Sequence, residues 1–269
     1  MLHYNFMQNA LIASVFISIL CPTIGVFLVL KRYSMMGDAL SHASLAGVAV
    51  GLVFGYNPIL SAFIFTSFFG VVIEFLRDYY KKYAEVILVI VMTLGIGIAI
   101  TLISMGKTNA NVNSYLFGSI LTVSSTELYT VFILSIISVI ILCVFFNQLL
   151  YITFDEDGAK IMGVKVKLLN YVFALLVGAT VSVSIRIMGI LVISSMIAMP
   201  VAAALQLHKG FKTTLIFSII FGFIDVIIGL ILSYYIDSAP GGTIALTSVA
   251  LMLVIIIIRR LTKTNLNYA

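Results

Sequence analysis

Asp38 and His42 stand four residues apart in GDALSHASLAGVA (37–49), just after the basic pair Lys31 and Arg32, where the chain turns apolar again. On a helix, positions i and i+4 share a face with β-carbons about 6 Å apart, so a carboxylate oxygen and an imidazole nitrogen there can hold one divalent cation. Ala43, Gly47, Gly51 and Gly55 follow at four-residue intervals, a seam of small residues that lets another helix approach closely. The competing reading is structural: Asp38 caps the helix that begins here and His42 bonds a backbone carbonyl. Two protein ligands do not by themselves complete a metal site.

Two further acids carry the same question. Asp225 sits in the middle of an apolar run, where an ionised group costs about 2.5–3.5 kcal/mol on insertion scales. Ser218, Gly222, Asp225, Gly229 and Ser233 fall on one helical stripe, which must face either protein or a water-filled path. Asp237, before the turn SAPGG, is either a ligand at the outer mouth of that path or a cap for the adjoining element.

The elements that hold these residues follow from composition. Of 269 residues, 62% are hydrophobic and 9% charged, and the mean hydropathy is +1.22. A soluble domain carries roughly 25% charged residues; this is the balance of an integral membrane protein. Apolar runs of helical rather than alternating pattern predict an all-α polytopic bundle, with spans at 9–30, 38–55, 58–76, 86–105, 127–150, 168–186, 188–207, 213–236 and 243–260. Taking the intervening loops alternately, 13 of the 15 basic residues fall on one side, and Lys107 and Arg186 on the other. Because cytoplasmic loops collect Lys and Arg, this asymmetry places the amino terminus outside and the carboxyl terminus in the cytoplasm. The break around Arg186 to Gly189 reads as a loop or as a bend within one element, so the count is eight or nine. The whole chain, 1–269, reads as a single transmembrane domain.

Several classes are excluded or disfavoured. The net charge of +5 sits in loops that would meet anionic lipid headgroups, with no aromatic platform for nucleic acid. Cys21 and Cys143 lie in different spans and frame neither a disulfide nor a thiolate site. His3, His42 and His208 are the only histidines and are too scattered for H-E-x-x-H or a triad, which argues against an intramembrane hydrolase. The chain has no GxxxxGK[ST] phosphate loop, so any nucleotide chemistry belongs to a partner.

Four segments carry a resemblance: RYSMMGDALSHASLAGVAVG (32–51), FDEDGAKIMGV (154–164), ISSMIAMPVAAAL (193–205) and LSYYIDSAPGGTIAL (232–246). In order and in register with the spans, the chain resembles the permease subunit of the zinc, manganese and iron importers of the ATP-binding-cassette class. The resemblance implies one half of a homodimeric channel, a second copy of the chain, two cytoplasmic ATP-binding subunits and an extracytoplasmic metal-binding protein. It assigns Asp38 and His42 to the metal pathway and makes 154–164 a coupling helix, whose contact with the ATPase groove is expected from Ala159, Met162 and Gly163. It covers neither Asp225 nor the first thirty residues with a motif. No permanently bound cofactor is expected; a divalent ion is the substrate, and oxygen and nitrogen donors without thiolate suit Mn²⁺, Fe²⁺ or Zn²⁺ alike. Met188, Met196 and Met199 read as packing residues around Pro200. The alternative is a proton-coupled secondary metal transporter using Asp225 and Asp38 as relays.

Overall fold

The computed structural model describes residues 5–80, 83–105, 112–119 and 125–266. His3, Lys81, Lys82, Lys107 and the side chain of Lys263 lie outside the described residues. Every regular element among the described residues is a helix: α1 (Asn5–Leu30), α2 (Met35–Phe54), α3 (Pro58–Tyr79), α4 (Ala84–Ser104), α5 (Asn113–Leu116), α6 (Ser125–Phe154), α7 (Glu156–Ile161), α8 (Val166–Met188), α9 (Ile190–Leu205), α10 (Phe211–Ile236) and α11 (Pro240–Leu266).

Eight of these, α1 to α4, α6, α8, α10 and α11, are long and apolar enough to cross a membrane. α9 has 16 residues and rises about 24 Å, short of a hydrocarbon core of about 30 Å. The break expected near Arg186 to Gly189 is a single residue, Gly189, with φ 75°, a conformation that a β-carbon disfavours.

Contacts between helix ends fix the directions. The ends of α1 and α6 and the start of α10 meet through Phe27, Phe146, Phe154 and Phe211. Lys31 donates to Asn170 near the start of α8 at 3.1 Å, and Lys167 pairs with Asp78 at the end of α3 at 2.6 Å. Past the end of α9, Gln206 accepts from Arg259 of α11 at 3.4 Å. At the opposite end, Gly118, Gly189 and Gly241 bring three segments together backbone to backbone: a β-carbon on any of them would collide with main chain of another. Helices α1, α3, α6, α9 and α11 therefore run one way, and α2, α4, α8 and α10 the other. Among the described basic residues, Arg186 alone lies toward the glycine end, as the loop charges predicted.

α2 is the most closely held element. It stops at Gly55, whose left-handed φ of 74° caps it through a bond to the Gly51 carbonyl. Two residues on, the Asn57 side chain accepts from the Ile59 and Leu60 amides at 3.0 and 3.2 Å and starts α3 at Pro58. The small-residue seam works toward α3 at two positions. A β-carbon on Gly47 would lie 2.7 Å from the Ala62 α-carbon, and one on Gly51 would lie 2.9 Å from the Ser61 hydroxyl. Gly55 is a cap and not part of the seam, while Ala43 faces α4, where the glycine is on the other helix: a β-carbon on Gly95 would lie 2.8 Å from the Ala43 nitrogen. On the remaining side, Ile197 of α9 wedges between Gly25 of α1 and Gly37 of α2.

Gly95→Val should destabilise the folded chain by about 1–3 kcal/mol through overpacking against α2. Gly97→Val, two residues away and facing open space, should leave the thermal midpoint of the purified protein unchanged, and the pair of midpoints is the measurement.

Candidate functional site

The clamp on α2 leaves two polar openings. Ala39, Leu40, Ser41, Ala43, Ser44, Leu45 and Ala46 are all buried, whereas the side chains of Asp38 and His42 are 36% and 21% exposed. Their Oδ1 and Nε2 atoms stand 4.0 Å apart, too far for a hydrogen bond. Two donors bound to one ion at about 2.0–2.2 Å stand roughly 3–4 Å apart, so a small rotamer change would let both ligate the same cation. The structural alternative fails at both residues: Ser34 occupies the cap position of α2, and among the described residues neither the Asp38 nor the His42 side chain bonds to backbone. Asp38 lies in the first turn, where the helix dipole favours a carboxylate. Among the described residues no group of three or more His, Cys, Asp or Glu side chains converges. One chain thus offers two ligands of the four that a first-row ion takes.

The other two acids are not brought to this pair. Asp225 is 1% exposed, on the face of α10 that holds Ser218, Gly222, Gly229 and Ser233, all buried as the stripe predicted. That face meets protein. Gly222 abuts Pro22 of α1, and Gly229 abuts Ile244 of α11. The Thr247 hydroxyl donates to the Asp225 backbone carbonyl at 3.1 Å. Ser248 lies beside the carboxyl without closing a hydrogen bond, and both carboxyl oxygens are buried without one. Helix α10 packs on α1, α9 and α11, and α2 on α3, α4, α8 and α9. Asp237 is the exposed left-handed cap of α10, φ 53°, with its amide bonded to the Ser233 carbonyl. It caps the helix before it, at the end of the bundle opposite Asp38. Met188 and Met196 are fully buried, as packing residues should be.

At the basic end, the segment 154–164 contains a six-residue helix, α7. Asp155 caps it by accepting from the Gly158 amide at 2.8 Å. Lys160 pairs with Glu156 and Asp157, both at 3.2 Å. Ala159 turns inward, 2% exposed, against Ile152, Val166 and Leu169. The outward surface is formed instead by Ile161, Met162, 67% exposed, and the left-handed Gly163. The six-residue length explains this: one face of so short a helix is needed to attach it.

Beside α7 opens a cavity of about 710 Å³ whose lining includes Glu74, Arg77, Glu156, Lys160, Lys167 and Asn170. Glu74 is buried near the end of α3, and Arg77 reaches both of its oxygens at 3.0 and 3.1 Å. Arg77 also lies 3.6 Å from Glu156 and 4.3 Å over the Tyr33 ring. These residues were not expected from the sequence; the available signal was an acid inside the 58–76 run with a base three positions on. Burial lowers the Lys31 amine from its ordinary 10.5 to about 8 and raises the Tyr33 phenol to about 12.

The opposite end holds a second network. Arg186 Nε stands 3.1 Å from Glu127 Oε2, an ion pair by distance without hydrogen-bond alignment. The Tyr115 hydroxyl of α5 donates to Glu127 at 3.1 Å, and its ring faces the guanidinium at 4.5 Å.

With this geometry in hand, comparison with known proteins is specific. A family model described as the ABC 3 transport family matches residues 3–259. The chain is 48% identical over 256 residues to a probable metal transport system membrane protein of Treponema pallidum (strain Nichols), covering 95% of this chain and 96% of that one. It is 30% identical to the manganese import system permease protein ScaB of Streptococcus gordonii, over 93% and 90% of the two chains. Among solved structures it superposes on PsaBC from Streptococcus pneumoniae in complex with Fab with a TM-score of 0.84 at 29% identity, covering 94% of this chain and 92% of that one.

The lowered value of Lys31 gives a pH test. The folded amine gives up its proton near pH 8 and the unfolded one only near 10.5. Between those values the unfolded chain holds the extra proton, and stability rises with pH. Thermal midpoints taken across that window should show the rise in the wild type and a smaller one in Lys31→Met.

Proposed function

The chain belongs to the ABC 3 transport family, and from that membership we propose that it is the permease subunit of an ATP-driven importer carrying a divalent transition metal ion into the cytoplasm. Family and fold make it a multi-pass inner-membrane component of an ABC-type metal importer. The finer reading rests on one observation: Asp38 and His42, 4.0 Å apart, form half of a coordination shell on a helix otherwise sealed by its neighbours.

A second copy facing the first across a two-fold axis would supply the other half, giving two carboxylates and two imidazoles. Such a donor set takes Mn²⁺, Fe²⁺ or Zn²⁺ without the grip of thiolate, which suits a site that must release its ion. The relative from Streptococcus gordonii is described as a manganese permease, and manganese is the first ion to assay. The basic end is cytoplasmic on this reading, with the amino terminus outside. There α7 presents Ile161, Met162 and Gly163 to an ATP-binding subunit, and an extracytoplasmic binding protein delivers metal to the other end. Approach of two ATPase subunits then rocks the half-channels about the site. A proton-coupled mechanism would need Asp225 on a water path, and the packing of its stripe against α1 and α11 counts against that.

Asp38→Ala and His42→Ala should each abolish metal accumulation while the chain still inserts and assembles; wild-type uptake by both at limiting metal would remove the pair from the mechanism. Met162→Glu should uncouple or detach the ATPase through the charge placed at the contact, measured as ATP hydrolysis and co-purification. Ala159→Arg should act differently, lowering the yield of folded chain by opening the contact with Ile152, Val166 and Leu169.

A further inference from the structure

Resting on the reading of α7 as the helix that meets the ATPase, we propose that Arg77 is a positioning residue that carries movement of α7 to the turn bearing Asp38 and His42. α7 is attached in two ways. Ala159 fixes it to the ends of α6 and α8 by apolar contact, and Glu156 joins it to α3 through Arg77 at 3.6 Å. The same guanidinium lies flat enough over Tyr33 to bring its carbon 4.3 Å from the ring centre. Tyr33 belongs to the turn between α1 and α2: its amide bonds the Leu28 carbonyl at 2.7 Å, and its carbonyl receives the Met36 amide at 2.9 Å. Asp38 follows two residues after Met36. One planar cation therefore sits between an acid of α7 and the aromatic ring that opens the helix carrying the metal pair.

The rest of the geometry makes that cation a stiff link. Arg77 is tied to the buried Glu74 by two bonds through one nitrogen, which fixes its head group on α3. A displacement of Glu156 must then be met by tilting the guanidinium, and the Tyr33 ring stacked on it moves in turn. The Tyr33 hydroxyl is buried and makes no hydrogen bond, so the turn engages Arg77 through the ring face.

A role limited to neutralising Glu74 would place all the effect on Arg77 and Glu74. The relay places it on Glu156 and Tyr33, which leave the Glu74–Arg77 pair intact. The test reconstitutes the full complex, with ATPase and binding protein, in vesicles and reads ATP hydrolysed per Mn²⁺ delivered. Glu156→Gln and Tyr33→Leu should each raise that ratio by about fivefold or more, the lower range of measured site-to-site coupling, with ATPase still bound and Mn²⁺ binding intact. Tyr33→Phe, which keeps the ring, and Lys160→Met, which removes only the other partner of Glu156, should remain at the wild-type ratio. A wild-type ratio in Glu156→Gln and Tyr33→Leu overturns the relay, as does loss of the ATPase from Glu156→Gln, which would make Glu156 a docking residue. If the wild-type chain takes up metal with no ATPase bound, the reading of α7 falls, and the relay with it.

Discussion

The contact between α2 and its neighbours is made of main chain, and the rest of the molecule is arranged around it. In lipid, apolar side chains give helices no reason to prefer one another over acyl tails, so close association depends on backbones coming near enough for dense packing. Gly47 and Gly51 allow this toward α3, Gly95 from α4, and Gly25 and Gly37 around Ile197 of α9. A helix gripped on these sides has little freedom to rotate or slide. It can hold two ligands at a set separation, and its one open strip is where a second copy can complete the shell. The site's geometry is thus a product of residues with no chemistry of their own.

The transmembrane character and helical class follow from composition, and the positions of the helices follow from apolar runs bounded by charge. Even the single-residue break at Gly189 was visible, as an interruption by Arg186 and Gly189 of a continuous apolar stretch. The Asp38 and His42 spacing was equally plain, because periodicity places i and i+4 together whatever surrounds them. Periodicity does not say what a face meets. The stripe through Asp225 lay where it was expected, yet only packing reveals that Pro22 and Ile244 cover it. Ala159 was grouped with Met162 and Gly163 as an outward surface; in six residues the helix must give one face to Ile152, Val166 and Leu169, and Ala159 is on it. Glu74 and Arg77 were hidden for a different reason. Their partners, Tyr33 and Glu156, are distant in sequence, and no local pattern records such a meeting.

Asp225 illustrates how a buried acid can be structural in placement while its carboxyl goes unbonded. It has Ser248 for a neighbour but no hydrogen bond, in a setting where desolvation is costly. That leaves α10 with a polar point against α1 and α11 remote from the metal pair, and any part it plays in transport must act through helix packing and not through shared coordination.

The two ends of the bundle are closed by different kinds of force. At the glycine end, Gly118, Gly189 and Gly241 interlock through uncharged backbone, and the ion pair there, Glu127 with Arg186, is buried. At the other, Lys160 and Lys167 pair with Glu156, Asp157 and Asp78 through largely exposed side chains. Mobile ions weaken exposed pairs within about 8–10 Å at physiological ionic strength and reach buried ones far less. The protein consequently has one electrolyte-sensitive end and one that is nearly indifferent to salt. In the proposed orientation the indifferent end faces the outside, where osmotic and ionic conditions swing, and the sensitive end faces a cytoplasm whose ionic composition the cell regulates.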